Sequence, residues 1–457
     1  MEQRHLQHLF WRAGFGATPQ QLIELADKSR EEVVNDLIYQ SRRSEALEID
    51  HSDYEDIDPM ALMGDKAALK KAIQDSGKKL KQLNIAWINR LLKPKGLLRE
   101  KMTLFWNNHF VCRDNNSYLS QHYNNTLRTH ALGSFRSLTK AVSKEASMIK
   151  YLNLKQNIRQ HPNENFAREL MELFTLGNHN YTEQDIKESA RAFTGYGHSF
   201  KGEFHLKRRQ HDYNNKTFFG RTGNYKGDDI IDIILVEKQC ARFVSEKIYK
   251  YFVNDQINPD HVEEMANQFY PNYDIEELMR FVFTSNWFYD DINIGTKIKS
   301  PIEFLIGLNT IVPLRFEKEQ QILALQKVLG QMLLFPPNVA GWEGGKQWID
   351  SNTIFMRLRL PSVLLNGGEI TFNEAGGFND RYRKWARRKG VSNPFEVSSN
   401  WDAFEDHFSA IQIDELKSYI IQSPITQGTS SFIKKLDRNS KRDYCIQLMS
   451  LPEYQLC

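Results

Sequence analysis

The 457-residue chain is 40% hydrophobic, 12% aromatic and 26% charged, close to globular averages, which sets aside disordered, collagen-like and coiled-coil classes. At this length it can bury a sizeable core as one large domain or as two to three smaller ones. The formal net charge of +3 is too small to announce a nucleic-acid partner, and none is expected.

Four cysteines, Cys112, Cys240, Cys445 and Cys457, stand far apart, without zinc spacing or the density of a small disulfide scaffold, and read as reduced thiols. The first residues, MEQRHLQHLFWRAGFGATPQQL, place His, Gln and Arg among the apolar positions and offer no cleavage site. No signal peptide is visible, so a cytoplasmic location is expected, with export by another route left open. No run of about 18 apolar residues occurs, and no membrane span is expected.

Helix signals dominate in chain order. Residues 1–45 form an N-terminal helical segment, with capping boxes at Thr18/Gln21, reinforced by Pro19, and at Ser29/Glu32. Residues 46–65 turn acidic, lose periodicity and read as a loop. A main helical domain over 66–361 opens with an amphipathic helix from Lys66 to Leu92, followed by helices in LLREKMTLFWNNHFV and LSQHYNNTLRTHAL, the latter ending near Gly133. NENFARELMELFTLG, Asn163 to Gly177, predicts one helix of about 14 residues stopped by Gly177. Thr182 and Asp185 then cap the next helix, whose Ile186, Ala190 and Phe193 point inward.

The pattern breaks over 196–227, rich in Gly, aromatic and basic residues, where EFHLK and KTFFG suit a β-hairpin. Helices resume at Asp228 and run past Phe335 to the loop FPPNVAGWEGGKQWID and an apolar helix ending at Pro361. Residues 362–400 form a polar and basic loop region, and 401–457 a helical C-terminal extension. The expected fold class is mainly α: a large multi-helix domain with a small β-hairpin excursion around 200–227, and no internal repeat.

On a helical wheel with Asn165 at zero, Arg168, Glu169 and Glu172 fall within an arc of about 100°, opposite Phe166, Ala167, Leu170, Met171, Leu173 and Phe174. Two carboxylates at i and i+3 can hold a metal or act as acid and base. The plainer reading is a wet face on which Arg168 and Glu172 form an ordinary i,i+4 pair. His109 in FWNNHFVCRDN sits among aromatic residues, where a hydrogen-bonded core histidine is commoner than a ligand.

His211 and Asp212 adjoin a basic run of Lys207, Arg208, Arg209, Lys216, Arg221 and Lys226, which suits either an anion site or a solvated loop. Asn338, Trp342, Lys346 and Trp348 lie on a turn-rich loop; tryptophan there can stack on a sugar or base, though plugging a helix junction is commoner. RYRKWARRKG puts six basic residues of 381–389 around Trp385. GxGxxG after a strand, GxxxxGK[ST], HExxH, GxSxG and CxxC do not occur.

The blocks HLFWRAGFGATPQQL, REKMTLFWNNHFV, NENFARELMELFTLGNHNYTEQDIKESARAFTGYG, HDYNNKTFFG, GDDIIDIIL, CARFVSEKIYKYFV, KIKSPIEFLIG and PPNVAGWEGGKQWI, in that order, resemble the bacterial family of domain of unknown function 1800 (DUF1800). The resemblance carries no firm reaction. It implies a largely helical protein often encoded beside a DUF1501-like family resembling sulfatases and alkaline phosphatases, and so a partner of that kind. Its characteristic blocks fall on His109, Asn163 to Gly177, Thr182 and Glu183, His211, Asp212 and Lys216, and Asn338, Gly341 and Trp342. The family's FWHNHF reads FWNNHF here, with Asn107 where the first histidine would stand.

These readings lead to an expected enzyme, hydrolytic in type, in which His109, Glu169, Glu172 and His211 are catalytic. His109, Glu169, Glu172, His211 and Asp212 converge as the ligands of a divalent metal or as acid and base, and Asn165, Arg168, Asp212, Lys216, Asn338 and Trp342 bind an anionic substrate. The alternative is a non-catalytic binding or assembly protein that recognises an anionic polymer or a partner protein through its basic loops. A third reading makes the polar stripe a structural network between helices.

Overall fold

Sequence-encoded caps set the first three helices. In a computed structural model that describes residues 1–55, 62, 64–366, 395–436, 438 and 440–457, helices α1 (Gln3–Ala13), α2 (Pro19–Leu25) and α3 (Arg30–Gln40) open the chain. Thr18 with Gln21 and Ser29 with Glu32 close the two predicted capping boxes. The acidic segment 46–65 is partly structured. Asn125 clamps Leu47 through both backbone groups, at 2.8 and 3.0 Å. A short helix, α4 (Ser52–Glu55), presents Tyr54 between the rings of Tyr118 and Phe200, at 4.6 and 4.8 Å.

Helix α5 (Lys66–Leu92) has the predicted limits, but its buried residues run only from Leu80 to Leu91, and Leu69 and Ile73 are exposed. Helices α6 (Leu97–His109), α7 (Ser117–His130), α8 (Phe135–Lys144) and α9 (Ala146–Tyr151) follow. Every residue of α6 from Leu98 to Asn107 is buried, so α6 is the central rod of the fold. The stretch predicted as one α-helix is instead a short helix α10 (Asn165–Glu169) continued by a π-helical turn (Leu170–Thr175). The Thr175 hydroxyl donates to the Leu170 carbonyl at 2.6 Å and the Leu176 N–H to the Met171 carbonyl at 2.8 Å, both five residues back. Gly177, at φ +79°, ends the turn as expected.

After α11 (Glu183–Ala192), EFHLK and KTFFG do not pair with each other. Strand β1 (Tyr196–His198) pairs antiparallel with β2 (Phe204–Leu206), and β3 (Lys216–Phe218) with β4 (Arg221–Gly223). The second hairpin closes through Phe219 and Gly220, both at positive φ as a type I′ turn requires.

The helical body then continues through α12 (Gly227–Ile234), α13 (Lys238–Phe252), α14 (Pro259–Phe269), α15 (Ile275–Thr284), α16 (Pro301–Ile311) and α17 (Gln320–Leu329). Helix α18 (Ser351–Asn366) does not stop at Pro361 but carries it inside, with Val363 to Leu365 buried beyond it. A strand pair joins β5 (Leu314–Phe316) to β6 (Val397–Ser399), and α19 (Trp401–His407), α20 (Leu416–Ile420), α21 (Gln427–Ile433) and α22 (Lys441–Met449) complete the chain. The predicted basic patch 381–389 lies outside the described residues.

One large apolar cluster joins α1–α3 to α6–α15, and a second joins α16–α18 to the C-terminal helices. The last residues return to the main body, where Lys297 and Cys457 exchange backbone hydrogen bonds at 3.1 and 2.8 Å. All four cysteines are buried free thiols. Among the described residues no helix is long and apolar enough to cross a membrane.

Charge is buried at the centre of this body. Arg128 makes a two-armed pair with Glu100, at 2.8 and 3.1 Å, with both side chains buried. Arg128→Ala is therefore expected to cost about 3–5 kcal/mol, measured by urea denaturation, because it leaves a buried carboxylate with only Arg90, at 3.6 Å. Replacing both partners with apolar residues should cost less. Lys101 pairs with Glu303 of α16. Burial pushes the Glu303 carboxyl up, but Lys101, the Ser300 N–H and Lys297 outweigh it and hold it at about 2 instead of 4.5. The stabilisation is thus complete above pH 4.5 and lost as the pH falls from 4.5 towards 2. The stability gap between wild type and Glu303→Gln should narrow in that window.

Candidate functional site

The π-turn decides how the polar stripe is used. Phe166, Ala167, Leu170, Met171 and Phe174 are at most 1% exposed, whereas Glu169 and Glu172 are half-buried. The Glu169 carboxylate has no hydrogen-bond partner among the described residues, and burial, then the neighbouring Glu172, raises its pKa against the pull of Arg168. Glu172 accepts a hydrogen bond from the Tyr181 hydroxyl at 2.9 Å. Burial and that bond push the Tyr181 phenol up to about 12.

The expected Arg168–Glu172 pair is not formed. Arg168 forks onto Glu183 at 3.0 and 3.1 Å and touches Glu164 at 3.4 Å. The wider turn beginning at Leu170 takes the i+4 position out of line with Arg168. The Asn165 backbone N–H donates to the side chain of Asn163 at 3.1 Å, which shapes the start of α10. Glu169 and Arg113 act with opposite sign on the half-buried Tyr151 phenol, Glu169 raising and Arg113 lowering its pKa behind the larger effect of burial. Arg113 is exposed, lies 5.6 Å above the Phe335 ring and makes no ion pair among the described residues. Tyr151, Arg113 and Tyr181 belong to none of the sequence patterns that point to chemistry. Tyr181, directly before the Thr182 cap, had the clearest signal.

His109 is buried in an aromatic cage that includes Phe105, Trp106, Phe110 and Phe174. Its Nε2–H donates to the Phe174 carbonyl at 2.9 Å. Burial, assisted by Lys247, lowers its pKa to about 3. The ring is neutral and its Nε2 is spent, so it spaces the end of α6 from the π-turn. The neighbouring Asn108 fixes the Pro/Gly/Trp loop: its Oδ1 accepts from the Trp342 N–H at 2.8 Å and its Nδ2 donates to the Trp342 carbonyl at 2.9 Å. Gly341, at φ +78°, lies so close that a Cβ would stand 2.3 Å from Asn108 Oδ1. Asn338 shapes the same turn, accepting from the Ala340 N–H at 2.9 Å, and Trp342 itself is half-buried.

His211 is fully buried. Its Nδ1–H donates to the Thr194 carbonyl at 2.8 Å, and its Nε2 has no partner. Burial lowers its pKa. It lines a cavity of about 480 Å³ with residues of β1, β2 and the start of α12. Asp212 is tied to Arg191 at 2.8 Å. Burial opposes ionisation of Asp212, but that pair and the Asn214 N–H leave its pKa lowered. Lys216 is buried, its pKa lowered by burial, and donates to the carbonyls of Asp212 and Asn214 at 2.5 and 2.9 Å. Asp212 and Lys216 therefore brace the loop that carries His211.

The expected five-ligand set of His109, Glu169, Glu172, His211 and Asp212 is not assembled. Among the described residues, no three His, Cys, Asp or Glu side chains are grouped to hold a metal ion. Within the set, His109 donates to the Phe174 carbonyl, Glu172 is held by Tyr181 and Asp212 by Arg191. The structure leaves two distinct clusters: the carboxylates around the π-turn, and the cavity at His211.

A family model described as a protein of unknown function, DUF1800, matches residues 8–456. The chain belongs to the DUF1800 family. No match was found among curated proteins or among solved structures. A neutral His109 predicts that its ring resonances stay fixed from pH 8 down to about 4.5 in NMR titrations. Because its pKa in the folded state is lowered, its contribution to stability is complete above 6.5 and is lost as the pH falls towards 3.

Proposed function

We propose that this DUF1800 chain is a hydrolase working by proton transfer, with Glu169 as general acid and Glu172 as general base. One observation carries the reading. Two carboxylates on one π-turn have unequal surroundings: Glu169 is half-buried with no hydrogen-bond partner, while Glu172 is held by Tyr181. Pairs of carboxyl groups whose environments differ in this way are how one site supplies an acid and a base together. Single π-turns also recur at functional sites.

In the proposed step Glu172 takes a proton from water as the water oxygen bonds to the electrophilic centre of an ester. The ester bond to the leaving oxygen breaks, and Glu169 gives its proton to that oxygen. Arg113, rather than Arg168 or Lys216, is the cation left to meet an anionic group, since those two are bound to Glu183 and to backbone carbonyls. Sulfate and phosphate esters are the first substrates to test, because the family resemblance points to a sulfatase- or phosphatase-like neighbour.

The test is turnover of p-nitrophenyl sulfate, phosphate and acetate by the full chain. Glu169→Gln and Glu172→Gln should each lower kcat by about 10²–10⁴ with unchanged unfolding curves. Arg113→Ala should mainly raise KM. The wild-type rate should follow a bell whose alkaline limb, set by Glu169, moves in Glu169→Asp. No turnover in the panel, or full turnover in the Gln variants, overturns the reading.

A further inference from the structure

The cavity at His211 stands apart from the carboxylate turn, and nothing in the proposed reaction uses it. Its charges cancel. Lys144 pairs with Asp228 at 2.7 Å, and Lys226 and Asp229 add one charge of each sign to the lining, the Asp229 carboxylate accepting the Lys226 backbone N–H at 2.9 Å. An anion entering would meet two carboxylates, and a cation two ammonium groups, so neither is favoured.

Hydrogen-bonding capacity remains unused inside this neutral frame. The Thr194 carbonyl takes the Nδ1–H of His211, which leaves Nε2 as a lone-pair acceptor, buried and unpartnered. Asp228 spends Oδ2 on Lys144, while its Oδ1 is a second buried acceptor without a partner. Neither acceptor has a partner within the chain, so each can take an O–H donor from water or from a ligand. The opposite character comes from the hairpin, where the Tyr196 and Phe204 rings, 4.8 Å apart, and Leu206 form an apolar wall. Asn224 adds an amide, both donor and acceptor, at the mouth.

The geometry points to this cavity as a binding site for a neutral sugar, one face of the ring against Tyr196 and Phe204 and two hydroxyls donating to His211 Nε2 and Asp228 Oδ1. A cavity of about 480 Å³ lies within the range of small-molecule sites. The chemistry requires an uncharged polyol with one apolar face, which distinguishes a sugar from phosphate, sulfate or an amine.

The experiment is saturation-transfer and chemical-shift NMR on the full chain with D-glucose, N-acetyl-D-glucosamine and methyl α-D-mannoside, against methyl β-D-glucuronide, D-glucosamine and inorganic phosphate. At least one neutral sugar should bind more tightly than about 10 mM, moving the His211 ring resonance, while the charged probes bind at least about tenfold more weakly. Phe204→Ala, at a half-buried wall position, and Asp228→Asn should each weaken the sugar about tenfold or more. His211→Gln should do the same; if it fails to fold, the Phe204 and Asp228 variants still decide. Absence of neutral-sugar binding, tighter binding of phosphate or glucuronide, or affinity unchanged in folded Phe204→Ala and Asp228→Asn overturns the assignment. Loss of esterase activity in Glu169→Gln should leave sugar binding intact, which separates this site from the proposed reaction.

Discussion

Three successive charged residues on the most buried helix hold the fold together. Arg99, Glu100 and Lys101 project about 100° apart around α6 and so reach three different neighbours. Arg99 donates to the carbonyls of Ser41 and Arg42 beyond α3 and of Arg128 in α7, at 2.7 to 2.8 Å, meeting oxygens at the ends of two helices. Glu100 holds Arg128, and Lys101 reaches the Gly14 carbonyl after α1 as well as Glu303 in α16. With its axis fixed in this way, α6 delivers Asn108 to the Trp342 loop and His109 to the π-turn. The position of the carboxylates therefore depends on buried charge several turns away.

Local chemistry was legible in the sequence wherever a side chain acts on its own neighbourhood. The boxes at Thr18, Ser29 and Thr182, the limits of α5 and the stop at Gly177 are each written within a few residues. Features set by distant partners were not. Strand β5 pairs with β6, more than eighty positions later, and neither is long enough to show a period. Pro361 reads as a stop, yet the helix runs through it because Val363 and Leu364 are claimed by the second core. The π-turn was invisible because its apolar residues satisfy an α-helical wheel almost as well, and only the bonds to Leu170 and Met171 reveal the extra residue.

The functional residues divide along the same line. His109 sits among aromatic residues with its proton on the Phe174 carbonyl, and the Asp212 and Lys216 of a basic loop brace that loop. Glu169 and Glu172 were visible as a stripe, but their inequality was not, since it comes from Tyr181 and from burial. In the sequence His211 stands out only by its neighbours, Asp212 and a basic run. What distinguishes it is a carbonyl seventeen residues upstream, which fixes which nitrogen is free.

The π-turn also bears on how such a surface can change over generations. It holds one residue more than an α-helix would need between Leu170 and Gly177, and the cap at Gly177 does not depend on which residue is surplus. Loss of a single codon there would let the segment relax into regular α-helix while its apolar face stayed roughly in register with the core. Where the residue lost is Leu170 or Met171, Glu172 would swing by about 100° relative to Glu169 and leave Tyr181 behind. Relatives of this chain could thus gain or discard the carboxylate arrangement through a one-residue length change, without altering a side chain in the site.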